Sequence, residues 1–141
     1  MKRLVPIAPL LPLILILCSC KKYIQHQEQN ALEAVVTNGE WYVTGYEQND
    51  SNITAAFSGY LFKFDANNTV TGTWDGDSSM QGNWTVDISA KTIYSDFPGA
   101  VAPLSYLNET WTITDGYTDS VSAKSVDTVN HTTNILQLKK Q

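Results

Sequence analysis

The sequence predicts an all-β domain in which eight short antiparallel strands form a meander that closes into a barrel. From Gly39 onward, apolar and polar residues alternate with a period of two in short runs, the pattern of strands with one buried face. Clusters of Asn, Asp, Gly and Ser separate these runs and predict turns. We expect closure because it pairs both edge strands. A β-sandwich is the alternative, but its crossovers are usually long, and only the connections 47–59 and 97–104 are long here.

The N-terminus has the residue order of a secretory signal peptide. Lys2 and Arg3 precede an apolar run of 14 residues over 4–17, and such a charged start followed by an apolar run is typical of these signals. The run is too short to span a bilayer comfortably, which takes about 20 residues. We therefore expect this segment to be removed by cleavage.

The residues that follow, Leu17-Cys18-Ser19-Cys20, resemble a bacterial lipobox. In that family of signals a small residue precedes a cysteine that is acylated, and the peptide is cut before the cysteine. Ser19 is small, whereas Cys18 follows the bulky Leu17, so Cys20 fits better. The resemblance implies a signal peptide over 1–19 and fatty acyl chains such as palmitate on Cys20.

Between the anchor and the barrel, residues 20–30 are polar and predict a lipidated tether. A short helix is predicted over 30–36, where Asn30 is a candidate N-cap and Glu33 follows three residues later. Asn38 and Gly39 provide its stop signal. The barrel domain is therefore predicted over 31–141.

Each predicted strand is defined by the residues that share its apolar face, and its β-branched and aromatic residues favour extended structure. In chain order these residues are Trp41, Val43 and Gly45; Tyr60, Phe62 and Phe64; Val70, Gly72 and Trp74; Gly82, Trp84, Val86 and Ile88; the run 91–97; Leu107, Trp111 and Ile113; Val121 and Ala123; and the run 135–140. In the first strand, this alternation places Tyr46 on the outer face. Turns are predicted at 65–68, 75–79, 115–116 and 130–134.

The charge and cysteine content exclude several classes of function. Without Lys2 and Arg3 the chain has seven basic and 14 acidic side chains, a formal net charge of −7. Such a chain repels nucleic acid, and no basic stripe argues otherwise. After cleavage Cys20 is the only cysteine left, so the sequence predicts neither a disulfide nor a thiol nucleophile.

Several short motifs resemble those of known barrels. Gly39-Glu40-Trp41 opens the first strand and resembles the G-x-W motif of lipocalins and calycins. Four further segments, together with this motif, are similar to the lipocalin-like domains of Bacteroidetes lipoproteins, and the resemblance covers about 32–140. These segments are 59–65, 82–84, 107–111 and 136–139.

The resemblance implies a structural role for the first motif. Gly39 and Trp41 would form the closed end of the barrel, where the Trp plugs the interior. A basic side chain from the last strand would pack across that ring, and Lys139 or Lys140 stands at the required position. The resemblance also implies that the barrel binds a small apolar ligand.

Two interpretations of the inward-facing side chains remain open. The aromatic residues either line a ligand cavity or simply fill a small barrel. Strict alternation would point the carboxylate of Glu109 inward as a ligand contact, whereas a β-bulge would turn it outward. The candidate ligand-lining residues are Phe62, Phe64, Trp74, Trp84, Glu109 and Trp111.

No pattern in the sequence predicts catalysis, a metal site or a cofactor. The two histidines, His26 and His131, lie in the tether and in a turn, so neither suits a nucleophile–base pair. Asp75, Asp77 and Ser79 resemble the start of a calcium loop. However, the glycine and the final glutamate of that loop are replaced by Met80 and Val86. We expect a solvated turn there and no enzymatic activity.

The sequence thus predicts a monomeric envelope protein held to the membrane by its acyl chains. Residues 21–24 contain no acidic cluster, whereas exported surface lipoproteins resemble one another in having one, so we expect an outer-membrane protein that faces the periplasm. Two functions remain open. The barrel either binds a small apolar ligand, or it is filled and serves as an interaction, accessory or inhibitor module for another envelope component.

The lipid anchor gives a first prediction. Cys20→Ala removes the thiol that would be acylated, so the precursor should stay uncut and should not incorporate a radioactive fatty acid in cells. Cys18→Ala is the matched control and should label like the parent. Undiminished labelling of Cys20→Ala would refute Cys20 as the site.

Overall fold

The computed structural model describes the backbone of residues 17–141 and the side chains of residues 26–141; the predicted signal peptide up to residue 16 and the Cys20 side chain lie outside the described residues. One helix, α1 (Leu17–Thr37), precedes nine strands. The strands are β1 (Glu40–Gln48), β2 (Ser51–Asn52), β3 (Tyr60–Phe64), β4 (Thr69–Trp74), β5 (Ser78–Asp87), β6 (Thr92–Asp96), β7 (Glu109–Gly116), β8 (Ser120–Asp127) and β9 (Thr132–Lys140).

Eight of the strands form a closed antiparallel barrel, as predicted. The ring runs β1-β3-β4-β5-β6-β7-β8-β9 and closes because β1 also pairs with β9, from Trp41 opposite Lys140 to Gln48 opposite Asn134. β2 pairs only with the end of β1 and lies outside the ring. The sandwich alternative is therefore wrong.

Helix α1 is longer than the sequence analysis predicted. It begins at Leu17 rather than at Asn30, so the segment predicted as an irregular tether is helical. Gln, Glu, Ala and Leu are good helix formers, and the Gln29 amide donates to the Glu33 carboxylate one turn later at 3.2 Å. Asn30 therefore lies inside the helix. Gly39 adopts a φ of 92° just after the helix ends, a conformation that glycine tolerates and other residues rarely adopt.

A β-bulge in β1 overturns one predicted orientation. The register against β9 shifts between Val43 and Gly45, which inserts Thr44 as an extra residue and reverses the alternation beyond it. Tyr46 was predicted on the outer face but is completely buried. At Gly45 an added Cβ would lie 2.5 Å from the Gln137 side-chain oxygen, so a larger residue there would displace the end of that side chain.

The end of the barrel where β1 begins and β9 ends, here called the basal end, is sealed by Trp41. Its ring is 1% exposed, and its indole N–H donates to the backbone oxygen of Val36 in α1 at 2.9 Å. From β9, the ammonium group of Lys140 lies 5.1 Å from the ring centre, within the range of a cation–π contact. The last turns of α1 pack on the core here through Leu32, Val35 and Val36.

The opposite, or distal, end carries the long connections. A short 3₁₀ helix, the first plug (Thr54–Phe57), lies between β2 and β3, and a second plug (Leu104–Leu107) precedes β7. Leu107, predicted in the sixth strand, belongs to this second plug. Asn134, predicted in a turn, lies inside β9, which begins two residues earlier.

Trp41 gives the prediction for the fold. Trp41→Ala should lower the free energy of unfolding by roughly 3–5 kcal/mol, because it leaves a large void and removes contacts to α1 and β9. Trp74→Ala is the matched control, since that ring is 47% exposed, and it should cost much less. Urea melts of the chain 21–141 would measure both. Similar losses for the two variants would contradict the assigned role of Trp41.

Candidate functional site

Most of the predicted ligand-lining aromatic side chains lie inside the barrel in close contact with each other. Phe62, Trp84 and Trp111 are each at most 2% exposed, and Phe64 meets the Trp84 ring edge-on at 5.4 Å. The indole N–H of Trp84 donates to the backbone oxygen of Asp65 at 2.9 Å. Trp74 differs, because it ends β4 at the distal end with its ring 47% exposed.

The space left between these side chains is small. Within the described residues, a cavity of about 50 Å³ is bordered by Trp41, Trp111 and Leu136. A second cavity of about 30 Å³ lies beside Phe62, Phe97 and again Leu136. Sites for small organic ligands usually have about 300–1,000 Å³. Between these described residues, the barrel interior is therefore filled by its own side chains.

The two plugs close the distal end, where a ligand would enter. Phe57 of the first plug is buried and stacks on Tyr46 with 5.1 Å between ring centres. The Tyr46 hydroxyl donates to the backbone oxygen of Tyr106 in the second plug at 2.8 Å. Leu104 packs over Gly72, where an added Cβ would lie 3.2 Å from the leucine methyl. Both plugs are thus tied to the barrel core.

One polar cluster interrupts this apolar interior near the distal end. Glu109 points inward, as strict alternation from Trp111 required, and its carboxylate accepts a hydrogen bond from the Ser125 hydroxyl at 2.7 Å. The Asn134 amide donates to the other carboxylate oxygen at 3.5 Å. Ser125 and Asn134 are buried, whereas Glu109 is only half-buried. These three residues are called the Glu109 cluster below.

The Glu109 cluster contains an unsatisfied acceptor. The Oδ1 atom of Asn134 has no hydrogen-bond partner, although the residue is only 3% exposed. Buried polar atoms are usually paired, so such an atom calls for an explanation. Sequence reasoning identified Glu109 but missed Ser125 and Asn134. The signal available was their position, two residues from the inward-facing Ala123 and Leu136 on paired strands.

The same region shifts the ionisation of Tyr46. Burial raises the pKa of the Tyr46 phenol far above its ordinary value, and the negative charge of Glu109 raises it further. The Tyr46 hydroxyl consequently stays protonated and serves as a hydrogen-bond donor to the second plug.

Charge is divided unevenly between the two ends. The distal end carries seven carboxylates, contributed by strand ends and turns: Glu47, Asp50, Asp75, Asp77, Asp96, Glu109 and Asp127. None of the five lysines among residues 26–141 lies there. Lys124 is midway along β8, and the basal end holds Lys63, Lys91, Lys139 and Lys140 among carboxylates of its own.

The described residues bring no metal-binding group together. Among them, no three His, Cys, Asp or Glu side chains converge. Asp75 and Asp77 lie in the exposed turn between β4 and β5. In the same part of the chain, no helix has the length and apolar character needed to cross a membrane.

Comparisons with known proteins identify a structural neighbour but no family. No protein-family model and no curated protein matches the chain. Among solved structures, it is similar to a crystal structure of a DUF4847 family protein from Bacteroides vulgatus, with a TM-score of 0.53 and 18% sequence identity. The match covers 78% of this chain and 99% of that chain. At this identity the likeness shows a shared fold, and membership of the lipocalin-like lipoproteins stays a prediction.

Tyr46 gives a prediction for pH dependence. A tyrosine whose folded pKa is raised contributes stability that is fully present below the unfolded value of about 10 and is lost as the pH rises toward the folded pKa. Above pH ~10 the parent should therefore lose about 1.4 kcal/mol per pH unit relative to Tyr46→Phe. Tyr94→Phe, at an exposed position, is the control and should follow the parent. Parallel denaturation curves for the parent and Tyr46→Phe would contradict the burial effect.

Proposed function

We propose that this protein is a lipid-anchored, non-catalytic module of the bacterial envelope that binds another envelope component through its outer surface. The observation that carries this proposal is the filled interior. The cavity of about 50 Å³ beside Trp41 and the two plugs favour a surface function over storage of an apolar ligand. The small apolar ligand implied by the lipocalin resemblance has no comparable support.

The arrangement of the anchor supports a defined orientation. Helix α1 would lead from the acylated Cys20 to the basal end, a distance of about 25 Å at 1.5 Å per residue. Lysines of the basal end would then face the membrane together with Lys21 and Lys22, where anionic head groups attract cations. The distal end would point away from the membrane, into the periplasm if the anchor lies in the outer membrane.

Exposed apolar side chains support the proposal that the distal end is the interaction surface. Trp74 lies there beside the half-buried Tyr60, its neighbour across β3 and β4. Val101 and Val129 are more than 80% exposed in distal connections. These apolar side chains lie at the same end as the seven distal carboxylates, and apolar surface with a polar rim is a feature of interaction sites.

The filled interior can be tested by enlarging it. Leu136 borders both small cavities, so Leu136→Ala should create a larger apolar void that accepts benzene, as engineered apolar cavities of about 150 Å³ do. Saturating benzene should raise the melting temperature of Leu136→Ala and leave the parent and the surface control Val101→Ala unchanged. Native mass spectrometry of the parent, purified without added ligand, should show only the chain and its acyl groups.

The surface function is tested by photo-crosslinking in cells that produce the anchored protein. A photoreactive side chain at position 74 should give a discrete adduct with an envelope component, whereas the same group at basal position 91 should not. A stoichiometric apolar molecule in the parent, or a benzene response equal to that of Leu136→Ala, would overturn the proposal.

A further inference from the structure

We propose that the Glu109 cluster receives the ammonium group of a lysine side chain, presented by a basic segment of a partner protein that docks on the distal end. This inference rests on the proposed surface function and names the chemistry of the partner.

The cluster contains an unpaired hydrogen-bond acceptor and no positively charged donor. Asn134 Oδ1 is buried without a partner, and it belongs to the same amide whose Nδ2 donates to the Glu109 carboxylate. Both hydrogen bonds to Glu109 come from neutral groups, so they do not neutralise its negative charge. The missing element is therefore a positively charged donor.

An ammonium group fits this deficit better than a guanidinium group. Lysine carries three N–H donors on a compact point charge, whereas arginine binds a carboxylate best through two parallel bonds to both oxygens. Here each Glu109 oxygen already accepts one hydrogen bond, from Ser125 at 2.7 Å and from Asn134 at 3.5 Å, which disfavours two parallel bonds from a guanidinium. Each carboxylate oxygen can accept a second bond, so the oxygen with the longer bond and Oδ1 of Asn134 are the acceptors for one ammonium group.

The described lysines bring no ammonium group to the cluster, so we assign the occupant to another molecule. Among residues 26–141, the basal end holds Lys63, Lys91, Lys139 and Lys140, and Lys124 lies on the outer wall of β8. Glu109 is only half-buried and begins β7 at the distal end, so the cluster is approached most directly from that end. The other six distal carboxylates lie at the same end of the barrel and would attract a basic segment electrostatically.

The wall beside the plugs offers room for the rest of such a segment. β1 and β3 pair at only two positions, Glu40 with Lys63 and Trp41 with Phe62. Beyond these positions a surface groove of about 360 Å³ opens between Tyr42, the first plug and Tyr60. The groove leads toward the distal end, where Trp74 provides an exposed apolar contact.

The test uses the full anchored chain in detergent and a blocked peptide, Ala-Gly-Lys-Gly-Ala, as the probe. Titration should shift the side-chain amide NMR signals of Asn134 in a saturable way. Binding should weaken about tenfold or more in Glu109→Gln, which keeps the shape and removes the charge. Asp96→Asn, a distal carboxylate outside the cluster, is the matched control and should bind within about twofold of the parent.

Additional titrations of the parent chain distinguish a lysine site from an arginine site or a small-amine site. They do not depend on the folding of a variant. Two further peptides carry norleucine or arginine in place of the lysine. The norleucine peptide should not bind, and salt should weaken binding of the lysine peptide to the parent chain. The proposal is overturned if the lysine peptide gives no shift, if Glu109→Gln binds equally well, or if the arginine peptide binds more tightly. Equal binding of n-butylamine would also overturn it, because the cluster would then be a small-amine site.

These outcomes are distinct from failure of the proposed function. An apolar ligand in the purified parent refutes the surface function, whatever the peptide does. A parent without such a ligand that crosslinks through position 74 but ignores the peptide refutes only the lysine site.

Discussion

Closure of the barrel depends on the contacts of one indole ring at the basal end. Trp41 lies at the start of the first strand of the ring, donates to the carbonyl of Val36 and lies beneath the ammonium of Lys140. It therefore joins the helix, the first strand and the last strand at one point. The helix and the first strand are neighbours in the chain, whereas the first and last strands lie at opposite ends of the barrel sequence, so pairing those two strands carries the larger loop-closure cost. A buried aromatic ring contacted from three elements offsets that cost where the sheet would otherwise have two free edges.

The two ends of the barrel differ in the length of their connections and in the residues that close them. At the basal end the connections are short, and one large side chain closes the interior. At the distal end the connections after β1 and β6 are long, and each folds back as a 3₁₀ plug. The bulge at Thr44 makes this possible, since it turns Tyr46 inward to stack on Phe57 and bond to Tyr106. A strictly alternating β1 would leave this end without its central contact.

The sequence allowed prediction of those features that depend on local periodicity. Alternation located all eight strands of the ring and the inward faces of Phe62, Trp84 and Trp111, and G-x-W placed Trp41 at the closed end with a terminal lysine across it. Tyr46 was placed on the wrong face because the bulge arises from the pairing of β1 with β9, which local periodicity does not show. Gly45 is only a weak local sign of it. Ser125 and Asn134 were missed because an inward polar residue differs from an outward one only through its register with neighbouring strands. The start of α1 was missed because polar helix formers also suit a flexible linker.

A filled barrel changes where function is expected. In the described interior nearly every inward side chain is apolar and tightly packed, which suits stability and leaves no room for a ligand of ordinary size. Placing a carboxylate, a hydroxyl and an amide together in such a core costs stability unless every polar atom is paired. Here the pairing is incomplete at Asn134, and the carboxylate belongs to the first residue of β7, at the end that carries the most negative charge. Proteins depart from the rules of good packing mainly where function requires it. The Glu109 cluster is the clearest such departure in the described barrel interior, and it lies at the end that an anchored chain would present to its surroundings.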